Sequence, residues 1–163
     1  MEKKYTIMFV CTGNTCRSPM AQVALEVLLG KRRPGMFDVI SSGTHAADGF
    51  PATAYAAEAV KLWDGDLSSH RSQQLTPALI KKSDLVLAMT SEHLAEIRRL
   101  VPAAKAYSYL LKNFPEPSVN GEGVEDPIGQ PLQRYNETFL EIGEYLGKHL
   151  PEIERRVDAS FGA

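Results

Sequence analysis

The sequence has few cysteines. Only two occur among its 163 residues, Cys11 and Cys16. Because both lie in one short stretch, they cannot cross-link distant parts of a fold, which excludes the disulfide framework typical of small secreted proteins. The four histidines are scattered, and no spacing of cysteine and histidine is typical of a zinc site. We therefore expect no bound metal and no other cofactor.

An excess of one charge and long apolar runs are also lacking. The formal net charge is −2, which gives no reason to expect nucleic acid or an acidic membrane surface as a partner. The longest apolar run is too short to cross a bilayer. The run near the N-terminus leads directly into a polar loop, which favours a strand over a signal peptide. We expect a cytoplasmic protein that forms one domain over residues 1–163.

The stretch most informative about function covers residues 11–21 and reads CTGNTCRSPMA. Residues 6–10 before it are mostly apolar and typical of a buried strand, and residues 21–29 after it are typical of a helix. A loop between a strand and a helix N-terminus can turn its N–H groups inward, where the helix dipole also favours negative charge. The sequence therefore predicts an anion-binding loop.

Cys11 opens this loop and Arg17 closes it. A thiol surrounded by N–H donors should be ionised near neutral pH, and the planar guanidinium of Arg17 can bind two oxygens of an anion. A thiolate beneath an oxyanion held in this way predicts covalent phosphoryl transfer. The alternative is a buried cysteine at a strand end beside an unrelated arginine. Strand, Cys, Gly, Asn, Arg, Ser and helix in one register argue against that alternative.

Residues 11–21 resemble the signature loop of the low-molecular-weight protein tyrosine phosphatases, and Thr15 makes the loop similar to that of the bacterial protein-arginine phosphatases in that family. Further segments that match the family lie at residues 41–44, 69–72, 89–90 and 126–127. The resemblance implies a four-stranded parallel sheet in a doubly wound α/β sandwich. It also implies phosphorylated proteins as substrates, a phosphocysteine intermediate, and inorganic phosphate as product and inhibitor.

Apolar strands alternate with helices along the chain, which independently predicts a parallel sheet covered by helices on both faces. The predicted strands cover residues 6–10, 37–41, 84–89 and, more weakly, 104–109. The predicted helices cover residues 21–29, 51–63, a short segment opening at 76–77, 91–100 with Ser91 as cap, and 132–150, followed by a frayed tail beyond Pro151. In such a sheet, ligands bind outside the carboxyl ends of the strands. The loops that hold Cys11, Ser41, Thr90 and Asp126 should meet there.

Asp126 is the candidate general acid. It stands in a long loop directly before Pro127, which biases it toward an extended backbone. Breaking a phosphoester or a phosphoramidate needs a proton on the leaving atom, and the same carboxyl can later activate water against the phosphocysteine. From the sequence alone, an Asp-Pro that merely starts a turn is an equal alternative. The resemblance implies the family's acid at this Asp-Pro and favours the catalytic role.

The other loop residues are predicted to bind phosphate or to support the loop: Thr12, Gly13, Asn14, Thr15, Cys16 and Ser18. Ser18 can donate a hydrogen bond to the sulfur of Cys11, or it can satisfy the backbone in the first helical turn. Asn14 should adopt the left-handed conformation that turns the N–H groups inward. The resemblance implies that Ser41 and His70 hold Asn14 in place.

Substrate selectivity is predicted to depend on Thr15 and Ile128. Tyrosine-specific members of the family have a bulky aliphatic residue at the Thr15 position. They also have aromatic residues just after the Asp-Pro, where this chain has Ile128 and Gly129. The small, polar Thr15 favours a planar, cationic leaving group. We therefore predict a protein-arginine phosphatase, with phosphotyrosine proteins as the alternative substrates.

Cys16 is not needed for phosphoryl transfer, so it either fills space or forms a disulfide with Cys11 that stops catalysis reversibly. Arsenate reductases share this loop and fold but shuttle a disulfide through further cysteines, and none follows Cys16. A phosphate-binding module without catalysis is the remaining alternative. The joint presence of Cys11, Arg17 and Asp126 argues against it.

Overall fold

A four-stranded parallel sheet forms the centre of the computed structural model, which describes residues 3–162. Its strands are β1 (Tyr5–Cys11), β2 (Phe37–Gly43), β3 (Leu85–Ala88) and β4 (Ser108–Leu110). They lie in the order β2-β1-β3-β4, and every neighbouring pair is parallel. Because the chain must cross over the sheet to keep its strands parallel, helices separate them. The predicted doubly wound α/β fold is confirmed.

Helices cover both faces of the sheet. They are α1 (Arg17–Gly30), α2 (Ala54–Ala59), α3 (Pro77–Lys82), α4 (Ser91–Leu100) and α5 (Leu132–Ala159), with 3₁₀ turns at Val60–Trp63 and Pro102–Ala106. Successive side chains of β1 point to opposite faces. Ile7 and Phe9 pack into the core beneath α1, α2 and α5, whereas Met8 and Val10 pack into the core beneath α3 and α4. No helix within residues 3–162 combines the length and the apolar character needed to cross a membrane.

Two predicted boundaries on the β3–β4 side are wrong. Thr90, not Ser91, caps α4: its side chain accepts from the N–H of His93, and the ring of His93 accepts from the N–H of Thr90. Adjacent Thr and Ser are equally good caps, so the sequence cannot choose between them. The predicted strand over residues 104–109 is instead a 3₁₀ turn followed by the short β4. Pro102 presets that turn, and the alanines after it have little preference for a strand.

The prediction of a frayed tail beyond Pro151 is also wrong, because α5 continues through Pro151 to Ala159. Proline removes one helical N–H donor, but packing of the following turns outweighs that loss. Ile153 and Val157 are fully buried in the core. The carboxylate of Glu154 lies 2.6 Å from Nε of Arg32, just after the end of α1. The last turns of α5 are therefore anchored against α1.

Candidate active site

The predicted anion loop joins the carboxyl end of β1 to the first turn of α1, at the edge of the sheet where the β2 and β3 strands also end. The N–H of Thr44 donates to the carbonyl of Cys11 (2.9 Å), and the N–H of His45 donates to the carbonyl of Thr12 (2.9 Å). A Cβ on Gly43 would lie 2.3 Å from the carbonyl oxygen of Thr12. Only glycine at the end of β2 therefore lets the loop pack this closely.

Asn14 is the centre of the loop's support. Its φ of 58° is left-handed, as predicted, and its side chain is completely buried. The amide nitrogen donates to the hydroxyls of Ser18 (2.8 Å) and Ser41 (3.0 Å), and the amide oxygen accepts from the N–H of Gln73 (2.9 Å). The ring nitrogen Nε2 of His70 lies 2.7 Å from the Asn14 carbonyl oxygen. The structure thus brings Ser41 and His70 together around Asn14.

The sulfur of Cys11 lies at the floor of the loop, 2.9 Å from the hydroxyl of Ser18. Complete burial raises the pKa of the Cys11 thiol. The side chain and N–H of Ser18, the charge of Arg17 and the N–H of Asn14 lower it. The net direction is upward in this geometry, because removing the sulfur from water costs more than these donors return. The ionisation of Cys11 near neutral pH stays a prediction.

The guanidinium of Arg17 is buried and has partners on both sides. Nη1 donates to the carbonyl of Val124 (2.9 Å), and Nη2 donates to the hydroxyl of Thr12 (3.3 Å). Nη2 also lies 3.5 Å from the carboxylate of Asp126. The other carboxylate oxygen of Asp126 accepts from the N–H of Ile128 (3.1 Å). The loop around Asp126 therefore folds back onto the arginine of the anion loop.

These residues enclose a cavity of about 150 Å³. It is lined by Cys11, Thr12, Gly13, Thr15, Cys16, Arg17, Asp126 and Ile128. All three candidate catalytic residues and both candidate selectivity residues thus line one space. Four other predicted residues, Asn14, Ser18, Ser41 and His70, stand behind the lining and hold it. A nucleophile, a cation and a carboxylic acid around one small cavity suit phosphoryl transfer.

Cys16 is buried between hydroxyl groups, and both it and Cys11 are free thiols. Its sulfur lies 3.4 Å from the hydroxyl of Thr53 and 3.6 Å from that of Tyr135 on α5. Burial and the Cys16 thiol raise the pKa of Tyr135 to about 12, so its hydroxyl stays protonated. Tyr135 could not be recognised as part of the site from the sequence, because nothing in the pattern of α5 distinguishes it from a core aromatic residue.

His93 was missed as well. Its buried ring lies in the first turn of α4, with Nε2 2.8 Å from the hydroxyl of Thr12. Burial and the charge of Arg17 lower the pKa of His93 to about 4. Its position just after β3, at the edge of the sheet that holds the site, is the signal that would have found it. Within the described part of the chain, no group of three or more His, Cys, Asp or Glu side chains is arranged to hold a metal ion.

Comparisons with known proteins define the class. Residues 6–159 match the model of the family described as low molecular weight phosphotyrosine protein phosphatase, and the chain belongs to this family. It is a cysteine-dependent protein phosphatase.

Among its relatives is a protein-arginine-phosphatase of Geobacillus stearothermophilus, 43% identical over 150 residues that cover 92% of this chain and 97% of the relative. The solved structure of the YwlE arginine phosphatase from Geobacillus stearothermophilus has a TM-score of 0.82 and 37% identity, covering 93% of this chain and 94% of that chain. The probable low molecular weight protein-tyrosine-phosphatase EpsP of Ralstonia nicotianae is 37% identical over 154 residues, which cover 94% of this chain and 92% of the relative.

Proposed function

We propose that this phosphatase hydrolyses phosphoarginine on proteins through a phosphocysteine intermediate at Cys11. The observation that carries the proposal is the place of Thr15, which lines the same cavity as Cys11, Arg17 and Asp126. The similarity to the protein-arginine-phosphatase of Geobacillus stearothermophilus supports the same substrate.

In the first step, the N–H groups of the loop and Arg17 hold the phosphoryl oxygens, as such donors do for developing negative charge. The thiolate of Cys11 attacks phosphorus, and the P–N bond to the guanidinium breaks. Attack needs the thiolate, which Ser18 and Arg17 stabilise against the cost of burial. Asp126 donates its proton to the leaving nitrogen. The products of this step are phosphocysteine, a free arginine side chain and the carboxylate of Asp126.

In the second step, water attacks the phosphocysteine and the S–P bond breaks. The carboxylate of Asp126 accepts the proton of the water, so one group serves as acid and then as base. The thiolate of Cys11 leaves and is stabilised by the Ser18 hydroxyl, 2.9 Å away. Inorganic phosphate is released from the loop, and it competes with substrate because it uses the same donors.

Selectivity for phosphoarginine follows from the chemistry of the cavity wall. A guanidinium carries several N–H donors, and the hydroxyl of Thr15 can accept one of them. An aliphatic side chain there would leave a donor desolvated without a partner, at a cost of about 1–3 kcal/mol. The carboxyl group of Asp126 is 41% exposed, and its unprotonated oxygen can accept a second N–H. Both groups suit a planar cation better than a phenol ring.

A phosphotyrosine phosphatase is the second candidate. It is favoured by Ile128, an apolar side chain that is 57% exposed at the cavity, and by the similarity to EpsP. An exposed isoleucine offers a phenol ring some apolar contact, but it lacks the flat face that favours stacking of aromatic rings.

The deciding experiment compares two peptides of one sequence that carry either phosphoarginine or phosphotyrosine at the same position. We expect the larger kcat/KM for phosphoarginine, unchanged activity in excess chelator and competitive inhibition by phosphate. A larger kcat/KM for phosphotyrosine would replace the proposal with the second candidate. Turnover of neither peptide, nor of an aryl phosphate, would contradict catalysis altogether.

We also propose that oxidation inactivates the enzyme reversibly. Cys11 and Cys16 line the same cavity as free thiols. Peroxide converts the Cys11 thiolate to a sulfenic acid, and attack by the Cys16 thiol then forms a disulfide and releases water. A thiol reductant restores both cysteines, as the reducing cytoplasm would. Recovery after peroxide should be less complete in Cys16→Ser than in wild type. Equal recovery would leave Cys16 as a residue that only fills space.

A further inference from the structure

His93 is a buried histidine that the reaction steps above do not use. Only 5% of the residue is exposed. Its Nδ1 lies 3.2 Å from the backbone nitrogen of Thr90. Because a backbone N–H can only donate, Nδ1 must be the unprotonated acceptor. The proton of the neutral ring is therefore on Nε2, which faces the catalytic loop.

The Nε2–H of His93 donates to the hydroxyl oxygen of Thr12 (2.8 Å), and Nη2 of Arg17 donates to the same oxygen (3.3 Å). A hydroxyl oxygen accepts two hydrogen bonds, so these two donors fill its capacity. The proton of the Thr12 hydroxyl is then left to donate. Among residues 3–162, no protein atom accepts it, and Thr12 lines the cavity beside Cys11.

The same contact limits the motion of Arg17. Nη1 is tethered to the carbonyl of Val124 (2.9 Å), and Nη2 is tethered to the hydroxyl of Thr12. Two tethers on different nitrogens define the plane of the guanidinium. Without His93, the exposed side chain of Thr12 can rotate, and Nη2 keeps only the partly exposed carboxylate of Asp126, 3.5 Å away.

We propose that His93 is a positioning residue: through the hydroxyl of Thr12 it orients Arg17 toward the phosphoryl oxygens and leaves the Thr12 proton free to donate to them. This inference rests on the proposed phosphoryl transfer at Cys11. It assigns a role to a threonine and a histidine whose contact joins positions 81 residues apart in the chain.

Three variants separate this role from the helix cap that His93 also forms. His93→Asn places an acceptor near Nδ1, which keeps the cap, but it has no donor that reaches Thr12. His93→Gln places a donor near Nε2, and glutamine at this position also completes a capping box. His93→Leu loses both contacts. The urea midpoints of unfolding show how much stability each variant loses with the cap, whereas kcat/KM shows the effect of losing the contact with Thr12.

We expect His93→Asn to lower kcat/KM by about tenfold, the effect of ~1.4 kcal/mol on a barrier, with a wild-type urea midpoint. His93→Gln should recover most of that activity. The loss should be the same for good and poor leaving groups, because Arg17 binds the phosphoryl group and not the leaving atom. Thr12→Val should reproduce the loss, and the double variant Thr12→Val/His93→Asn should lose no more than either single variant.

Wild-type kcat/KM in His93→Asn would overturn the inference, and so would additive losses in the double variant. If kcat/KM falls equally in His93→Gln and His93→Asn, and falls in parallel with the urea midpoint of unfolding, His93 serves only as a helix cap. The proposed function fails separately, if wild type itself turns over no phosphorylated peptide and no aryl phosphate.

Discussion

The two sides of the cavity are built differently. On the anion-loop side, Asn14, Arg17 and Ser18 are buried, and each has protein partners for its polar atoms. On the other side, the loop that carries Asp126 is mostly exposed. Asp126 is 41% exposed, Ile128 is 57% exposed, and Gly129 has a positive φ of 78°.

The difference separates two tasks. Binding a phosphoryl group is the same task for every substrate, so its donors are held in advance by buried contacts. Receiving the leaving group involves a side chain attached to a whole protein, so that side of the cavity is open to the surface. Apart from changes at Thr15, substitutions in the anion loop should therefore affect all substrates alike, whereas the effect of substitutions opposite it should depend on the leaving group.

The largest effect is expected for Cys11→Ser, which removes the nucleophile from the buried side. A serine hydroxyl at this position is a far weaker nucleophile than a thiolate, so turnover of every substrate should be abolished. Binding of phosphate or vanadate should persist, because the N–H groups and Arg17 remain. Isothermal titration measures the binding. Appreciable turnover by this variant would contradict covalent catalysis at Cys11.

Asp126→Ala removes the candidate acid from the exposed side of the cavity. It should lower kcat by about 10²–10⁴-fold on phosphoarginine, the usual contribution of a positioned acid. An activated nitrophenyl phosphate needs no proton on its leaving group, so Asp126→Ala should lower kcat on this substrate much less. Rates measured on both substrates give the comparison. Equal losses on the two would show that Asp126 supports Arg17 but does not transfer a proton.

Thr15→Ile tests the one anion-loop residue to which we assign selectivity. The change keeps the branch at Cβ and exchanges a hydroxyl for hydrocarbon. It should lower kcat/KM for phosphoarginine by about tenfold or more, since ~1.4 kcal/mol corresponds to a factor of ten. Activity on phosphotyrosine should hold or rise. The ratio of the two kcat/KM values before and after the change is the measurement, and an unchanged ratio would remove Thr15 from substrate selection.

The smallest effect is expected for Ser18→Ala. Among the groups that lower the pKa of Cys11, the Ser18 hydroxyl has the largest effect, although burial outweighs it. Loss of this hydroxyl should raise that pKa further, because the thiolate loses a hydrogen-bond donor. A higher pKa means less thiolate at a given pH, so alkylation by iodoacetamide should slow, and its pH profile should move to higher pH. Exposed Ser118→Ala is the matched control, and a profile that Ser18→Ala leaves in place would contradict this role.

How much the sequence could predict differs between the two sides as well. The anion loop is contiguous, and its strand, its glycine, its left-handed Asn14 and its helix are all local patterns. The acid loop has no periodic pattern, and Asp126 could be assigned only through the family resemblance. The roles of Ser41 and His70 also came from that resemblance.

Other contacts of the site could not be predicted, for two physical reasons. The partners of Asn14 and Arg17 include the N–H of Gln73 and the carbonyl of Val124. Backbone groups occur in every residue, so the residue type carries no information about them. His93 and Tyr135 reach the loop from 81 and 119 positions away. Such contacts depend on how helices pack, and this also explains why α5 passes Pro151 when its local sequence predicts an end.

The 28 residues of α5 have a mechanical consequence. Near one end, the Tyr135 hydroxyl contacts Cys16 at the start of α1. Near the other end, Glu154 and Asp158 bind Arg32 and Arg33 just after α1 stops. Contacts with α5 thus hold α1 at both of its ends, and α1 cannot rotate without breaking the contacts at one end. The axis that aims the dipole of α1 at the anion loop therefore keeps its direction, whichever leaving group meets the exposed wall opposite.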